Sequence, residues 1–427
     1  MLSKMGCLIA ALALLLSSET RAQAEKPLKL DDLIVEALQN NPGLRSAKNM
    51  AAAARTKIGR ATSWESPQLG VEFYQVPVQS FPNPLKNNME TDYYLQQMIP
   101  FPGKLSAMGS AADYNAAMEN QNAMALERSV IRQLKSAYYE LYFVQRKIRI
   151  NGENQILLRS FVDVARKRYE VGTGGQSDIL RAQTELSKLI NDGINLGKEE
   201  SAAESMINMI LSRPTDQALG QVPEIEGEIP QWSFSDVRPL ALESRPELKA
   251  MRSGIEMSNS EVKLARREYY PDLMARVMYK DMAMTPNDFW SVMVGVSIPL
   301  SPWSSSRYTS KVEENELNVR RAQDDYANME NMVLFQVRDA LVKVSANRNL
   351  VLLYRNTVIP QAEQTLQSTV ASYQTGKTEF LMVIDAYRTL LDAKLEYYMA
   401  VMDEMASQAQ LEQAAGLSIA DLESRIR

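Results

Sequence analysis

The stretch YEVGTGGQSDILRAQ, residues 169–183, joins two helical patterns across a glycine-rich turn, and both patterns run far longer than a globular domain requires. A relative, YQTGKTEFLMVIDAY, occupies residues 373–387. The two align without a gap at an offset of 204, which places Tyr169 on Tyr373, Gly172 on Gly376 and Ala182 on Ala386. The same offset carries Pro42-Gly43-Leu44 onto Pro246-Glu247-Leu248 and Pro67 onto Pro271. Three separated anchors at one spacing mark a duplicated chain. Its first copy covers residues 25–235 and its second residues 236–427.

Outward from the turn, both copies follow one order. Each opens with a helical stretch, 30 to about 64 and 236 to about 268, rich in Ala, Lys, Arg and Glu. The period then changes to two. Leu69, Val71 and Phe73 alternate with polar residues, as do Tyr93, Leu95 and Ile99; in the second copy so do Leu273, Val277 and Tyr279, then Trp290, Val292, Val294, Val296 and Ile298. This alternation predicts strands at about 67–76, 91–99, 271–279 and 289–298, each with two unlike faces. Both pairs end in proline, at Pro100 and Pro299, where a ladder must stop.

The longest helical patterns follow the strands. No proline occurs over residues 104–171, and Leu134, Ala137, Leu141, Val144, Ile148, Leu158, Val162, Ala165 and Tyr169 step by threes and fours as a coiled-coil seam does. Asn151 and Gln155 read as a weak point in that seam. Residues 307–374 repeat the pattern with Leu334, Val337, Leu341 and Val344, and Pro360 is expected to kink the helix. A helix of 68 residues would be on the order of 100 Å long. The shorter helical stretches 30–64 and 176–212 together match that length and are expected to lie along it. Residues 213–239, with Pro214, Pro223, Pro230 and Pro239, read as the linker between copies.

Composition narrows the function. Lys4, the apolar residues 8–16 and Ala22-Gln23-Ala24 read as a secretory signal, residues 1–24, so the mature chain is exported. Losing Lys4, Arg21 and Glu19 takes the net charge from −5 to −6, which speaks against nucleic acid as a partner. Cys7, the only cysteine, lies in the signal, and Lys-Met-Gly before it is a poor lipoprotein box; neither a disulfide nor a lipid anchor is expected. The chain has no histidine. Zinc sites built on Cys and His, imidazole acid-base chemistry and thiol nucleophiles are therefore absent from the inventory, and no enzyme activity, cofactor or metal site is expected. After the signal no run of about 18 apolar residues offers a membrane-spanning helix, but a barrel strand needs only about 9 to 11 alternating residues.

Four such strands cannot close a membrane barrel, because the smallest use about eight and an open edge in lipid is not viable. The chain must then oligomerise. The expected fold is mainly α with a small β part: long coiled-coil helices forming an α-barrel, plus four strands per protomer given to a shared transmembrane β-barrel. The aromatics Tyr93, Tyr279 and Trp290 fit either a membrane-interface belt or cross-strand packing. Met274, Met278 and Met293 share the polar face of the strands, a set that suits a copper or silver path but also methionine's commoner role of filling space.

The duplicated order, the stretch Gln97-Met-Ile-Pro-Phe-Pro-Gly-Lys-Leu105 and the Tyr, Gly and Asp spacing at the turns resemble the TolC-like outer-membrane factor family, and Ile-Pro-Phe-Pro-Gly-Lys most resembles its heavy-metal (CzcC/CusC-type) branch. The resemblance implies a homotrimer in the outer membrane with a periplasmic extension, in contact with outer-membrane lipid and docked to a periplasmic adaptor and an inner-membrane efflux pump. It implies a passive exit channel closed at the helical turns by aspartates and by Tyr–Asp links between neighbouring hairpins. By motif position the gate residues would be Asp178, Asp385 and Tyr373, and Gly172, Gly174, Gly376 and Lys377 would lie on the adaptor-contacting turns. Met382 stands where the second copy would carry its counterpart of Asp178, and Thr378, beside Lys377, where an arginine is expected; the usual salt-bridge lock is thereby altered. Carboxylates crowded about an axis repel one another and attract cations, whereas the same aspartates near helix N-termini could be ordinary solvated residues. The competing class is a periplasmic coiled-coil scaffold or adaptor, which has no use for a lipid-compatible face on all four strands.

Overall fold

The computed structural model describes residues 27–225, 232–283, 286–299 and 301–426; the signal segment and Cys7 lie outside them. The chain divides into two compact units, one of Met1–Arg45, Ala125–Arg245 and Met332–Arg427, the other of Ser46–Met124 and Pro246–Asn331.

Each opening helical stretch is two helices. Helices α1 (Leu30–Asn40) and α2 (Pro42–Thr62) part at Asn41, as α5 (Phe234–Ser244) and α6 (Pro246–Arg267) part at Arg245. The cause is the proline that follows each, which drives the preceding residue into extended backbone, with ψ 119° at Asn41 and 121° at Arg245. Both breaks are put to use. Asn41 Nδ2 donates to the Ile210 carbonyl at 3.0 Å, and Arg245 Nη1 donates to the Ala414 carbonyl at 3.0 Å. The two ends of the second contact lie 204 residues after those of the first. Each ties an opening helix to the last turn of the helix that follows a glycine-rich turn, α4 (Gln176–Leu211) or α9 (Phe380–Ala415).

The strands lie in the second unit: β1 (Gln68–Tyr74), β2 (Glu90–Ile99), β3 (Leu273–Met282) and β4 (Phe289–Val296), in one antiparallel sheet of order β1-β2-β3-β4. Leu69, Val71, Tyr93, Leu95, Val277, Tyr279, Trp290, Val292, Val294 and Val296 are all exposed. One face is thus an open apolar surface, and β1 and β4 are unpaired edges. Tyr93 pairs with Tyr279, and Tyr279 with Trp290, so the three aromatics form a row across that face. The segments leaving β2 and entering β3 are cross-tied. Phe101 stacks on Tyr270 with centroids 4.5 Å apart, and Lys104 Nζ reaches both Asp272 carboxylate oxygens at 2.8 and 2.9 Å. Asp272 also accepts the Phe101 amide at 2.7 Å. Gly103 has φ +91°, so the Gly of Ile-Pro-Phe-Pro-Gly-Lys is needed by the backbone, while a Cβ there would meet only the movable end of Arg267 at 3.3 Å. Elsewhere this unit buries chiefly small residues, among them Ala54, Ala107, Ala116, Ala123, Ala250 and Ala265.

The large apolar side chains are buried in the first unit. Helix α3 (Lys104–Glu170) contributes Leu134, Tyr138, Leu141, Tyr142, Val144, Leu158, Val162 and Ala165 to the interior. The seam takes Ile150 and Phe161 as well and ends at Ala165, since Tyr169 is exposed. Asn151 and Gln155 are an anchor here and not a weakness: Asn151 Nδ2 donates to the Leu189 carbonyl at 2.9 Å and its Oδ1 accepts from Gln155 at 2.7 Å. The amide sits against Gly193, where a Cβ would be only 3.2 Å away.

The second long helix is interrupted. Helix α7 (Ser305–Leu353) passes through a π-helical turn, Tyr354–Val358, into α8 (Ile359–Gln374). Pro360 has no amide proton to give, and the wider turn just before it, closed by the Ile359 amide on the Tyr354 carbonyl, is where the helix absorbs the proline. Of the expected linker, residues 226–231 with Pro230 lie outside the described residues, and its end is helical. Pro239 lies inside α5, and Val222 is buried, its amide donating to Gln145 Oε1 at 2.8 Å and its carbonyl accepting from Arg146 at 3.1 Å.

Candidate functional site

The two glycine-rich turns end α3 and α8 in the same way. The Gly172 amide donates to the Tyr169 carbonyl at 3.0 Å and the Thr173 amide to Arg168 at 2.9 Å; Gly376 donates to Tyr373 at 3.0 Å and Lys377 to Ser372 at 2.9 Å. This is the Schellman pattern, which puts its C′ residue in the left-handed region, and Gly172 and Gly376 have φ +72° and +75°. A Cβ would strain either backbone.

The turns are drawn together by residues from both. Tyr373 Oη donates to Asp178 Oδ2 at 3.1 Å. Arg168 donates to the Tyr373 carbonyl and, at 2.9 Å, to the Thr173 carbonyl, and its guanidinium lies 4.4 Å from the centre of the Tyr373 ring. One arginine of the first hairpin therefore holds its own turn and the end of α8 at once. Burial, together with the charge and hydrogen bond of Asp178, pushes the Tyr373 hydroxyl up to about 12, although Arg168 opposes the shift. The phenol stays protonated and remains a donor. About two helical turns further on, Arg388 Nη2 and Lys188 Nζ both reach Glu185 Oε1, at 2.5 and 2.8 Å. Burial pushes that carboxyl up, but the two cations outweigh it and hold it below the usual carboxylate range.

Of the residues the sequence singles out, Asp178 and Tyr373 are in contact, and Gly172, Gly174, Gly376 and Lys377 lie on the two turns. Asp385 is not part of the cluster. It is exposed, and its carboxylate makes no hydrogen bond or ion pair among the described residues. Arg168 and the Glu185–Arg388 pair were not anticipated. The position where the resemblance calls for an arginine holds Thr378, whose buried hydroxyl finds no hydrogen-bond partner; the guanidinium comes from the other hairpin. The clue was the alignment itself, which puts Ser372 opposite Arg168.

The cluster holds the two hairpins together. Among the described residues no group of three or more His, Cys, Asp or Glu could hold a metal ion, and no helix is long and apolar enough to cross a membrane. The family profile described as "Outer membrane efflux protein" matches residues 33–200 and 237–417.

The chain belongs to the outer membrane efflux protein family.

The two matched stretches leave residues 201–236 unmatched between them. Relatives of this efflux protein include "Cobalt-zinc-cadmium resistance protein CzcC" of Cupriavidus metallidurans, 22% identical over 70% of this chain and 70% of that one. "Outer membrane efflux protein BepC" of Brucella suis is 22% identical over 97% of this chain and 91% of its own length. Among solved structures, CusC superposes with a TM-score of 0.77 at 17% identity, covering 91% of this chain and 92% of CusC. The fold is that of these channels: long helices of an α-barrel with strands of a β-barrel. The protein is an outer-membrane efflux channel with a periplasmic extension, of the kind that works as a trimer in tripartite systems, and the scaffold reading is not favoured. Its relatives are channels and not enzymes.

Proposed function

We propose that this efflux channel is a passive conduit, without chemistry of its own, whose periplasmic mouth is closed at the two helical turns by the Arg168, Tyr373 and Asp178 cluster. The observation that carries the reading is the Tyr373–Asp178 hydrogen bond between hairpins, reinforced by a guanidinium that grips both. The moved arginine accounts for the altered lock: Arg168 replaces the cation missing at Thr378. Asp385, exposed and unpaired, is a carboxylate left available to cations at the aperture. Opening then requires that the Tyr373 hydroxyl and Arg168 lose their partners. The exposed turn residues Gly172, Gly376 and Lys377, with Gly174 between, form the surface on which a periplasmic adaptor would dock, linking the trimer to an inner-membrane pump. The two element series descend from one ancestral unit, copied at residues 25–235 and 236–427 behind a signal of residues 1–24.

Planar-bilayer recordings test the gate. The double variant Tyr373→Phe, Asp178→Ala is expected to raise single-channel conductance, and Asp178→Ala, Asp385→Ala to weaken block by divalent cations. Unchanged conductance in the first and unchanged block in the second would show that the aperture lies elsewhere.

A further inference from the structure

We propose that a polar cavity between helices of the two copies binds a small oxyanion, a hydroxylated polycarboxylate of the citrate class. The cavity measures about 250 Å³ and lies within the first unit. Its wall takes Arg132 from α3, Arg245 from the break between α5 and α6, Gln336 and Asp339 from α7, and Gln410 and Gln413 from α9. The offset of 204 shows what is peculiar to this place. Asn41 and Arg245 are counterparts, and they make equivalent ties at the same 3.0 Å, Asn41 to the Ile210 carbonyl and Arg245 to the Ala414 carbonyl. An uncharged carboxamide is therefore enough for the tie. Arg245 makes it with one Nη and brings a buried guanidinium that the tie does not require. Gln410 and Gln413 stand where the first copy has Met206 and Met209, both exposed, so carboxamides line this wall where the first copy carries thioethers. Arg132 and Gln336 are counterparts too, and they meet at the one cavity.

The charges favour an anion. Arg132 makes no hydrogen bond or ion pair among the described residues. Asp339, the carboxylate on the wall, is held by Lys343 at 2.6 Å, and Glu412, beside Gln413, is paired with Lys135 and also accepts the Ile419 amide at 3.1 Å. Both carboxylates are already matched by cations, so Arg132 gives the wall a positive surplus. A guanidinium presents a planar fork of donors that fits a carboxylate or a phosphate. The three glutamines offer donors and acceptors at once, which suits hydroxyl groups. A bare phosphate would engage the arginines and leave the glutamines to water, whereas a hydroxy-polycarboxylate engages both. Size excludes bulky cargo, because sites for drug-sized ligands run to roughly 300–1,000 Å³. An anion held here bridges α3 of the first copy to α7 and α9 of the second, and by binding only the folded chain it stabilises the first unit.

The test uses the full chain in detergent, titrated calorimetrically with citrate and, separately, with inorganic phosphate in a buffer free of other polyanions, while the melting temperature is followed. The wild type is expected to bind one citrate per protomer, more tightly than phosphate, and to melt higher with citrate present. A hydrogen bond to a charged group changes a binding constant by roughly 10- to 100-fold, so Arg132→Gln should weaken citrate by about that factor. Arg245→Asn retains the tie in the form Asn41 uses and removes the charge; it should weaken citrate comparably and leave the melting temperature without citrate close to that of the wild type. Arg166→Gln, at an exposed arginine elsewhere on α3, should change neither reading. A wild type that binds no citrate overturns the proposal, and so does phosphate binding as tightly as citrate. Citrate affinity unaltered by Arg132→Gln overturns it as well, whether or not Arg245→Asn folds. None of these readings depends on the gate at the turns or on conduction, so the site and the conduit reading stand or fall separately.

Discussion

The two turns have one backbone and opposite environments. Position for position their hydrogen bonds and left-handed glycines match, yet Tyr169 is 49% exposed and Tyr373 3%, and Leu180 is 55% exposed where its counterpart Ile384 is 4%. Phe380, Val383, Ile384, Ala386 and Tyr387 of the second hairpin pack with Leu158, Phe161, Ala182 and Leu189 of the first into one cluster. The second hairpin is therefore the packed partner, and the first contributes the long-reaching Arg168 and the carboxylate of Asp178. The shape of the turn, which glycine fixes locally, is the same in both, while the side chains differ, giving an embedded half and a gripping half.

The largest effect expected from this difference is on stability. Ile384→Ala should cost about 2–5 kcal/mol, the range for a buried aliphatic truncated in a packed cluster, whereas Leu180→Ala, at the matching exposed position, should stay within about 0.5 kcal/mol. Chemical unfolding of the two variants checks this. Comparable losses would mean that a neighbouring protomer covers the first turn, and would remove it from the surface assigned to the adaptor.

How much of this was legible in the sequence follows the same division between local and distant causes. Period and proline placement are local, so the strands, the long helices and the turns were readable to within a few residues. The splits at Asn41 and Arg245 were also local, since each precedes a proline, but the alanine-rich sequence on either side masked them. What sequence could not supply was pairing over distance. Arg168 meets a carbonyl 205 residues away, and nothing around it differs from an ordinary cation in the last turn of a helix. Asn151 read as a flaw in an apolar seam because the carbonyl that satisfies it, on Leu189, belongs to another helix. Asp385 reads as a gate carboxylate because its spacing matches a motif, while its exposure depends on which face of α9 the cluster occupies.

A smaller effect probes what the turns share. Gly172→Ala and Gly376→Ala should each cost about 1–2 kcal/mol, because both force a Cβ into the left-handed region. Space adds little to either: nothing lies within 4 Å of a Cβ at Gly172, and at Gly376 the nearest atom is the end of the Arg168 side chain at 3.4 Å. Near-equal shifts in melting temperature would confirm that backbone conformation is the common inheritance. A much larger loss at Gly376 would instead assign the packing difference to the turn as well as to the helix behind it.

The smallest effect isolates the clamp. Tyr373→Phe removes the hydroxyl that Asp178 accepts and should cost about 1 kcal/mol, the net worth of one such bond, while Tyr169→Phe should cost nothing measurable. Its pH dependence gives the contact a signature. The hydroxyl is raised in the folded chain from 10.0 to about 12. Below pH of about 10 the phenol is protonated whether the chain is folded or not, and its contribution is complete. As pH rises further, the unfolded chain ionises first, so the folded chain holds more protons and stability falls with pH until the folded group also ionises near 12. The difference in stability between wild type and Tyr373→Phe should accordingly be constant from neutral pH to about 10 and then fall through zero between there and about 12. A difference that persists unchanged through that window would mean that Tyr373 is held by its ring against Arg168 and Phe380 alone, and that the bond to Asp178 contributes nothing to keeping the hairpins together.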